Sequence, residues 1–291
     1  MVKIRVLSLS LLIITTLLFS ACGSETTTTY TKGYSITKWL VEFVLNTDLT
    51  KFPDKLNYYA TVKPEVTIEW VEAIGDKLGI IDEAGVTGSG DRIIMSDGDE
   101  RLEVYTSTGS ISIRGIHKPY QTDAQLTSSE NAAVIATEFV KYLGLWDDDI
   151  ELKGVTLRYE ETPSKQEWGV SFNQYIDDYP LVGGSKSLSV IVNMYGTVLR
   201  AGIWELELES AGETDCITAQ QAYAILLDGD ALEFIVSSES KILINDVYMG
   251  YYLENQTKLQ EYVMPIYVFE GERILSDGDT GIFRCYVNAS K

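Results

Sequence analysis

Histidine is nearly absent from this sequence. His117 is the only histidine among 291 residues, and the chain has only three cysteines. Protein sites for zinc and related metals draw most of their ligands from these two residue types, so we expect no metal centre and no cofactor. A Ser–His–Asp triad would have to use His117, which comes at the end of a predicted strand just before Pro119. That position suits a surface or linker residue better than a catalytic base.

Basic residues are also scarce. Lys and Arg together number 23 against 43 Asp and Glu, which gives a formal net charge of −20 at pH 7. A chain this acidic repels phosphate backbones, so nucleic-acid binding is excluded. The hydrophobic share of 45% and the charged share of 23% are ordinary for a globular protein and exclude a wholly disordered chain.

Long apolar runs are missing except at the N-terminus. A short positive start leads into an apolar stretch over residues 6–19. This stretch is shorter than the roughly 20 residues that span a membrane, but it suits a secretory signal. It ends in Leu-Phe-Ser-Ala-Cys-Gly, residues 18–23, which resembles a bacterial lipobox with Phe19 where Leu is usual. The sequence therefore predicts acylation of Cys22, and an ordinary signal peptide followed by a chance cysteine is the alternative.

Acylation of Cys22 would place the protein outside the cell. Cleavage removes residues 1–21, which contain two basic and no acidic residues, so the mature chain carries a net charge of −22. Two or three acyl chains anchor a protein stably to a bilayer. We expect a lipoprotein on the extracytoplasmic face of the cell membrane, with an acidic body that does not lie flat on anionic lipid.

The spacing of apolar residues predicts four helices, at about residues 35–46, 64–78, 127–143 and 218–227. Thr127 and Thr218 each begin a capping box. Between the helices the apolar residues alternate, which is typical of strands joined as hairpins. The sequence thus predicts an α+β fold with antiparallel sheets, each packed with a helix.

A repeated helix-plus-sheet unit is also predicted. The pairs Gly109/Gly115 and Gly196/Gly202 follow two of the helices, and the members of each pair are six residues apart. Chance recurrence of glycine turns is the alternative. The predicted organisation is a signal peptide (1–21), a flexible tether (22–34), an N-terminal α+β unit (35–118) and a C-terminal α+β unit (126–291).

Cys216 and Cys285 remain after Cys22 is assigned to the anchor. An extracytoplasmic compartment permits a disulfide between them. Two buried thiols are the alternative, because unbridged cysteine is often buried. The sequence leaves both open.

The motif Asp-Gly-Asp occurs three times, at residues 97–99, 228–230 and 277–279. The residues that follow do not match the spacing of an EF-hand. Because glycine supplies the positive φ of tight turns, we predict turns here, with incidental calcium binding as the alternative.

Tyrosine is abundant, with 18 residues, several of them late in the chain. We interpret Tyr248, Tyr251, Tyr252, Tyr262 and Tyr267 as strand formers with a polar tip. A tyrosine-rich binding face is the alternative.

Four segments in the second half carry a family resemblance: Gln174–Gly184, the capped helix start Ile217–Ala222, Met264–Glu270 and Tyr286–Ala289. Their order resembles the C-terminal part of the YycH/YycI-type regulators of a Gram-positive two-component system, and more loosely PepSY and thermolysin-propeptide-like modules. The likeness covers roughly residues 127–289. It implies an extracytoplasmic α+β module and a regulator, inhibitor or adaptor that acts by contact. Those regulators are typically anchored by a transmembrane helix, whereas this chain has the Cys22 motif.

The sequence therefore favours a non-enzymatic lipoprotein with a protein partner in the envelope. A solute-binding lipoprotein is one alternative, although four helices are few for two doubly wound lobes. An envelope enzyme acting on glycan is another. It would need a pair of carboxylates, and the 43 acidic residues give no reason to choose one pair.

Overall fold

The computed structural model describes residues 26–32, 39–49, 52–80, 87–115, 127–158, 166–183, 188–204, 206–232, 240–254, 259–275 and 277–291. These residues form three α-helices and seventeen β-strands. The helices are α1 (Ile68–Leu78), α2 (Ser129–Leu143) and α3 (Ala219–Asp228). The strands are β1 (Thr26–Lys32), β2 (Trp39–Leu45), β3 (Lys55–Thr61), β4 (Thr87–Ser89), β5 (Arg92–Asp97), β6 (Glu100–Tyr105), β7 (Ile111–Arg114), β8 (Ile150–Arg158), β9 (Glu167–Ile176), β10 (Tyr179–Gly183), β11 (Leu188–Asn193), β12 (Val198–Ile203), β13 (Leu208–Asp215), β14 (Ser240–Leu253), β15 (Tyr262–Val263), β16 (Pro265–Ile274) and β17 (Thr280–Asn288).

Fourteen of these strands belong to one large sheet. Its first part is antiparallel throughout, in the order β8–β9–β11–β12–β7–β6–β5–β4. Its second part has the order β1–β2–β14–β16–β17. Strand β10 joins the two parts, because it pairs with the end of β9 and, in parallel, with β14. A separate small sheet has the order β13–β3–β15.

Helices α1 and α2 cover one face of the antiparallel part. Their apolar side chains form one core with the inward residues of the strands, which include Leu102, Ile113, Val170, Val190 and Ala201. The helices also bind each other, since Lys77 Nζ donates to the carbonyl of Leu143 at 2.9 Å. Because successive strand residues point to opposite sides, the residues between these core positions lie on the other face of the sheet.

Helix α3 covers the second part of the sheet. Its core contains Phe43 of β2, Tyr267 and Phe269 of β16, and Cys285 of β17. A third apolar cluster lies between the small sheet and the large one. It is formed by Tyr59, Trp204, Tyr251, Leu253 and Val263.

The predicted α+β class is confirmed in its broad form, because helices pack on a sheet that is mostly antiparallel. Three predicted helices are present among the described residues. The N-cap of α2 is Ser128 rather than Thr127, because the Ser128 hydroxyl accepts from the Asn131 amide. Strands from both sides of the predicted boundary pair directly, as β7 does with β12. The repeat and the domain division stay predictions.

The predicted first helix is wrong. Residues 39–45 form β2, which lies between β1 and β14, and residues 33–38 are outside the described part of the chain. The segment Trp-Leu-Val-Glu-Phe-Val-Leu is apolar at nearly every position, which is typical of a strand with neighbours on both sides. Pairing with the distant β14 outweighs the local helical spacing, and periodicity alone does not reveal such pairing.

Residues 26–32 also differ from the prediction of a flexible tether, since they form β1. Each of them pairs with a residue of β2, from Thr26 with Leu45 to Lys32 with Trp39. Threonine is β-branched and favours strands, which explains why this threonine-rich segment extends the sheet.

None of the helices in the described residues is long and apolar enough to cross a membrane.

Candidate functional site

Two of the residues singled out from the sequence, Cys22 and His117, lie outside the described residues. Acylation of Cys22 therefore stays a prediction.

Cys216 and Cys285 belong to the core under α3, and they carry thiols rather than a disulfide. Cys216 forms an isolated bridge with Ser290, which lies two residues past the end of β17 and five residues beyond Cys285. Five extended residues span about 16 Å, whereas the Cα atoms of a disulfide lie within about 7 Å. The structure therefore has the alternative of two buried thiols, and burial raises the pKa of Cys216.

Two of the three Asp-Gly-Asp motifs, at residues 97–99 and 277–279, lie in hairpin turns, as predicted, and the third ends a helix. Gly98 and Gly278 lie in hairpin loops with φ of 58° and 90°, and Gly229 ends α3 with φ of 74°. Among the described residues, no group of three His, Cys, Asp or Glu side chains is placed to hold a metal ion.

Asp177 lies at a polar junction between the small sheet and the β9–β10 hairpin. Asp177 and Asp178 form the two-residue loop of this hairpin, with φ of 49° and 68°. Asp177 accepts hydrogen bonds from the Tyr59 hydroxyl and from Asn57 Nδ2, the latter at 3.0 Å. Burial and the bond to Asp177 raise the pKa of Tyr59. Tyr59 is therefore a protonated donor that connects the small sheet to the hairpin.

Glu270 lies at a second polar cluster, on the sheet face opposite α3. Arg284 donates to both of its carboxylate oxygens, at 2.7 and 3.2 Å, and the Tyr248 hydroxyl donates at 2.8 Å. Burial alone would raise the pKa of Glu270, but the bonds from Arg284 and Tyr248 outweigh it and lower the pKa. Burial and the bond to Glu270 raise the pKa of Tyr248.

Both clusters are suited to holding strands together rather than to catalysis. Each carboxylate is already bound by neutral or cationic donors, and a tyrosine with a raised pKa is neither a base nor a nucleophile near neutral pH. Most of the late tyrosines are likewise structural, as the strand-former interpretation predicts. Tyr251 and Tyr267 are fully buried in strands, whereas the side chain of Tyr262 is exposed.

The least expected feature is a basic surface on this acidic protein. We call it the arginine face: the side of the antiparallel part of the large sheet that α1 and α2 leave uncovered. Five of the eight arginines in the chain lie at its strand positions: Arg92, Arg101, Arg114, Arg158 and Arg200. The three glutamates at positions on this face are Glu103, Glu151 and Glu167. The arginine face is thus positive within a chain of net charge −20.

Three of these arginines stand side by side on neighbouring strands. Arg101 on β6 pairs in register with Arg114 on β7, and Arg114 pairs in register with Arg200 on β12. Residues directly opposite on neighbouring strands have Cβ atoms about 5 Å apart, so like charges in these positions destabilise a sheet. Sheet stability therefore does not explain why Arg101, Arg114 and Arg200 stand side by side, and we call these three residues the arginine row.

Glutamates neutralise only part of this charge. Glu103 binds both Arg92, at 2.6 Å, and Arg101, at 3.2 Å, and these arginines lower its pKa although burial alone would raise it. Glu167 binds Arg200 at 3.3 Å. Arg114 is exposed, and its side chain has no hydrogen bond or ion pair among the described residues.

Sequence reasoning missed this face entirely. Arg101, Arg114 and Arg200 are separated by up to 99 residues, and each is an isolated basic residue in an acidic chain. The alternation of apolar and polar residues indicates that each arginine leaves the core side of its strand. Only the strand order and register bring them together.

Comparison with known proteins gives likenesses of fold. No family model matches the chain, and no curated protein matches it. Among solved structures, an uncharacterized protein from Eubacterium rectale ATCC 33656 matches with a TM-score of 0.46 and 11% identity, covering 85% of this chain and 86% of that one. YycH from Bacillus subtilis matches with a TM-score of 0.43 and 14% identity, covering 87% of this chain and 56% of that one.

The C-terminal domain of YpeB from Bacillus megaterium matches with a TM-score of 0.39 and 12% identity, covering 78% of this chain and 94% of that one. This chain spans little more than half of the length of YycH. At these scores and identities the likenesses assign neither activity nor partner.

Proposed function

We propose that this protein is a lipid-anchored regulator or adaptor on the extracytoplasmic face of a bacterial membrane, and that it acts by binding other proteins rather than by catalysis. The observation that carries the proposal is the N-terminal segment, in which a short apolar run ends in two small residues and Cys22. The cysteine sulfur is the acylation point, and two or three acyl chains suffice for stable anchoring.

The fold has a surface to which another protein could bind. One side of the antiparallel part of the large sheet is covered by α1 and α2, while the other carries the arginine row. A charged row that costs stability is a feature expected of a binding surface rather than of a scaffold. The antiparallel topology also departs from the doubly wound lobes expected of a solute-binding lipoprotein.

The first test concerns location. A C-terminally tagged chain is expressed in a Gram-positive host as wild type, as Cys22→Ser and as the control Cys216→Ser. Wild type and Cys216→Ser are expected in the membrane fraction and accessible to protease added to intact cells. Cys22→Ser is expected to leave the membrane fraction. A wild-type protein found in the cytosol and protected from protease would contradict the proposal.

The second test concerns contact. A photo-crosslinking residue is placed in living cells at Ser112, on the arginine face, and in a control at Asp148, in an exposed turn. The proposal predicts one discrete crosslinked protein from position 112 and none of that size from position 148. Equal patterns from both positions, or no adduct from either, would argue against a contact function through this face.

A further inference from the structure

We infer that the arginine face is a docking site for an acidic segment of a partner protein, whose carboxylates bind Arg101, Arg114 and Arg200. This inference rests on the proposed contact function and adds to it the chemistry of the partner. Arginine presents a planar fork of N–H donors that matches a carboxylate in a bidentate manner.

Arg114 is the residue that most needs an external partner. It lies in the middle of the row, with Arg101 on one side and Arg200 on the other. Arg101 and Arg200 each have a glutamate, but Arg114 has no ion pair among the described residues. A carboxylate brought by a partner would relieve the repulsion among the three guanidinium groups, which Glu103 and Glu167 neutralise only in part.

The surface beside the row leaves room for such a segment. Beside the arginine row, small residues on five neighbouring strands pair with one another across the sheet: Ser112, Gly202, Ser189, Ser171 and Gly154. At about 4.8 Å between strands, this shallow strip is about 19 Å long. It lies about 7 Å from the arginine row on the two strands that both share, β7 and β12, because Ser112 and Gly202 are each two residues from Arg114 and Arg200.

The negative charge of the whole protein favours a short acidic segment over an anionic membrane as the partner of the arginine face. A membrane rich in anionic lipid would face the whole negative protein and be repelled. A single acidic segment lies close to the arginines, and at physiological salt the more distant carboxylates are screened beyond about 8 Å. The local positive charge therefore governs its binding.

The test uses the mature lipidated protein in detergent and a fluorescein-labelled oligoglutamate peptide, with binding followed by fluorescence anisotropy. The triple variant Arg101→Gln, Arg114→Gln, Arg200→Gln removes the row. A matched control, Lys55→Gln, Lys141→Gln, Lys241→Gln, makes the same charge change at exposed residues whose ion pairs lie elsewhere. The single variant Arg114→Gln guards against misfolding, because it breaks no ion pair among the described residues, and circular dichroism checks all the variants.

We expect wild type to bind the peptide, and we expect binding to weaken as salt rises from about 50 mM to about 0.5 M. Three lost Arg–carboxylate contacts should weaken binding at least about tenfold in the arginine triple variant. The lysine triple variant should change it less than about twofold. Arg114→Gln should account for a measurable part of the loss while the protein stays folded.

Absence of binding by wild type, or equal losses in the two triple variants, would overturn the inference. Tighter binding of a poly(glycerol phosphate) chain or of anionic phosphatidylglycerol vesicles than of the peptide, with the same dependence on the arginines, would overturn the choice of a protein partner. The peptide could fail to bind while surface location depends on Cys22 and position 112 gives a specific crosslink. That result would exclude an acidic partner and leave the proposed function in place.

Discussion

Arg114 on β7 stands directly opposite Arg200 on β12, so two like charges face each other in the middle of the antiparallel part of the large sheet. Arg200 has Glu167 as a partner, whereas Arg114 has no ion pair among the described residues. Such a pair opposes the stability of the sheet. The following variants separate residues that hold this fold together from residues that do not.

Replacing Arg114 should stabilise the protein. In Arg114→Thr a repelled charge gives way to a good strand former, so the free energy of unfolding should rise by about 0.5 kcal/mol, measured by urea unfolding. Arg200→Thr is the matched control, and it should gain less because it also loses the ion pair with Glu167. A loss of about 1 kcal/mol or more in Arg114→Thr would show that the arginine is structural.

Two neighbouring substitutions in the Asp177–Asp178 loop should have opposite effects on the free energy of unfolding. Asp178 has φ of 68°, which glycine adopts without strain, so Asp178→Gly should raise the free energy of unfolding by about 0.5 kcal/mol. Asp177→Gly relieves similar strain but leaves Tyr59 and Asn57 without their acceptor, so it should cost about 1 kcal/mol. Thermal unfolding of both variants checks this order, and equal effects would contradict the role given to Tyr59.

The Glu270–Arg284 pair should make a measurable contribution to stability. Arg284→Met leaves the Glu270 carboxylate half-buried without its cation, which should cost about 2 kcal/mol at pH 7. Arg273→Met on β16 is a control that makes the same substitution outside this pair. The double variant Glu270→Gln, Arg284→Met should recover part of the loss, because no charge is then left unpaired.

The same pair should also affect the dependence on pH. The folded-state pKa of Glu270 is lowered, so its contribution is present above the unfolded pKa of about 4.3 and is lost as pH falls from there through the folded value. The difference in stability between wild type and Arg284→Met should therefore shrink below about pH 4. A difference that stays constant down to about pH 3 would show that the loss comes from packing alone.

Thiol counting tests the assignment of Cys216 and Cys285. With Cys22 acylated, the denatured protein should show two reactive thiols without any reductant, and a reductant should not change its thermal midpoint. Cys216→Ser should lower the count to one. A count of zero in the unreduced protein would mean that the two cysteines are bridged.

The sequence indicated much of the fold because the signals involved are local. Helix α3 has its capping box at Thr218, and both α1 and α2 end at glycines with left-handed φ. These features act within one turn of the chain, so composition and spacing reveal them. Strand β2 is the contrary case, because it lies between β1 and β14, and β14 begins almost 200 residues later in the chain.

The candidate site could not be found in the same way. Arg101 and Arg114 are joined by a hairpin, but Arg200 joins them only through the pairing of β7 with β12. The distance between Cys216 and Cys285 likewise depends on the pairing of the segment after β17, which places Ser290 rather than Cys285 opposite Cys216. Register is set by the packing of whole sheets, and a single sequence does not display it.

The most direct measurement is the chemical state of Cys22 in the protein isolated from cells. Cells are grown with an alkyne fatty acid, and the N-terminal peptide of the purified protein is identified by mass spectrometry. We expect a chain that begins at Cys22 and carries the labelled acyl group, with no label in Cys22→Ser. An unlabelled wild-type chain that retains residues 1–21 would contradict it.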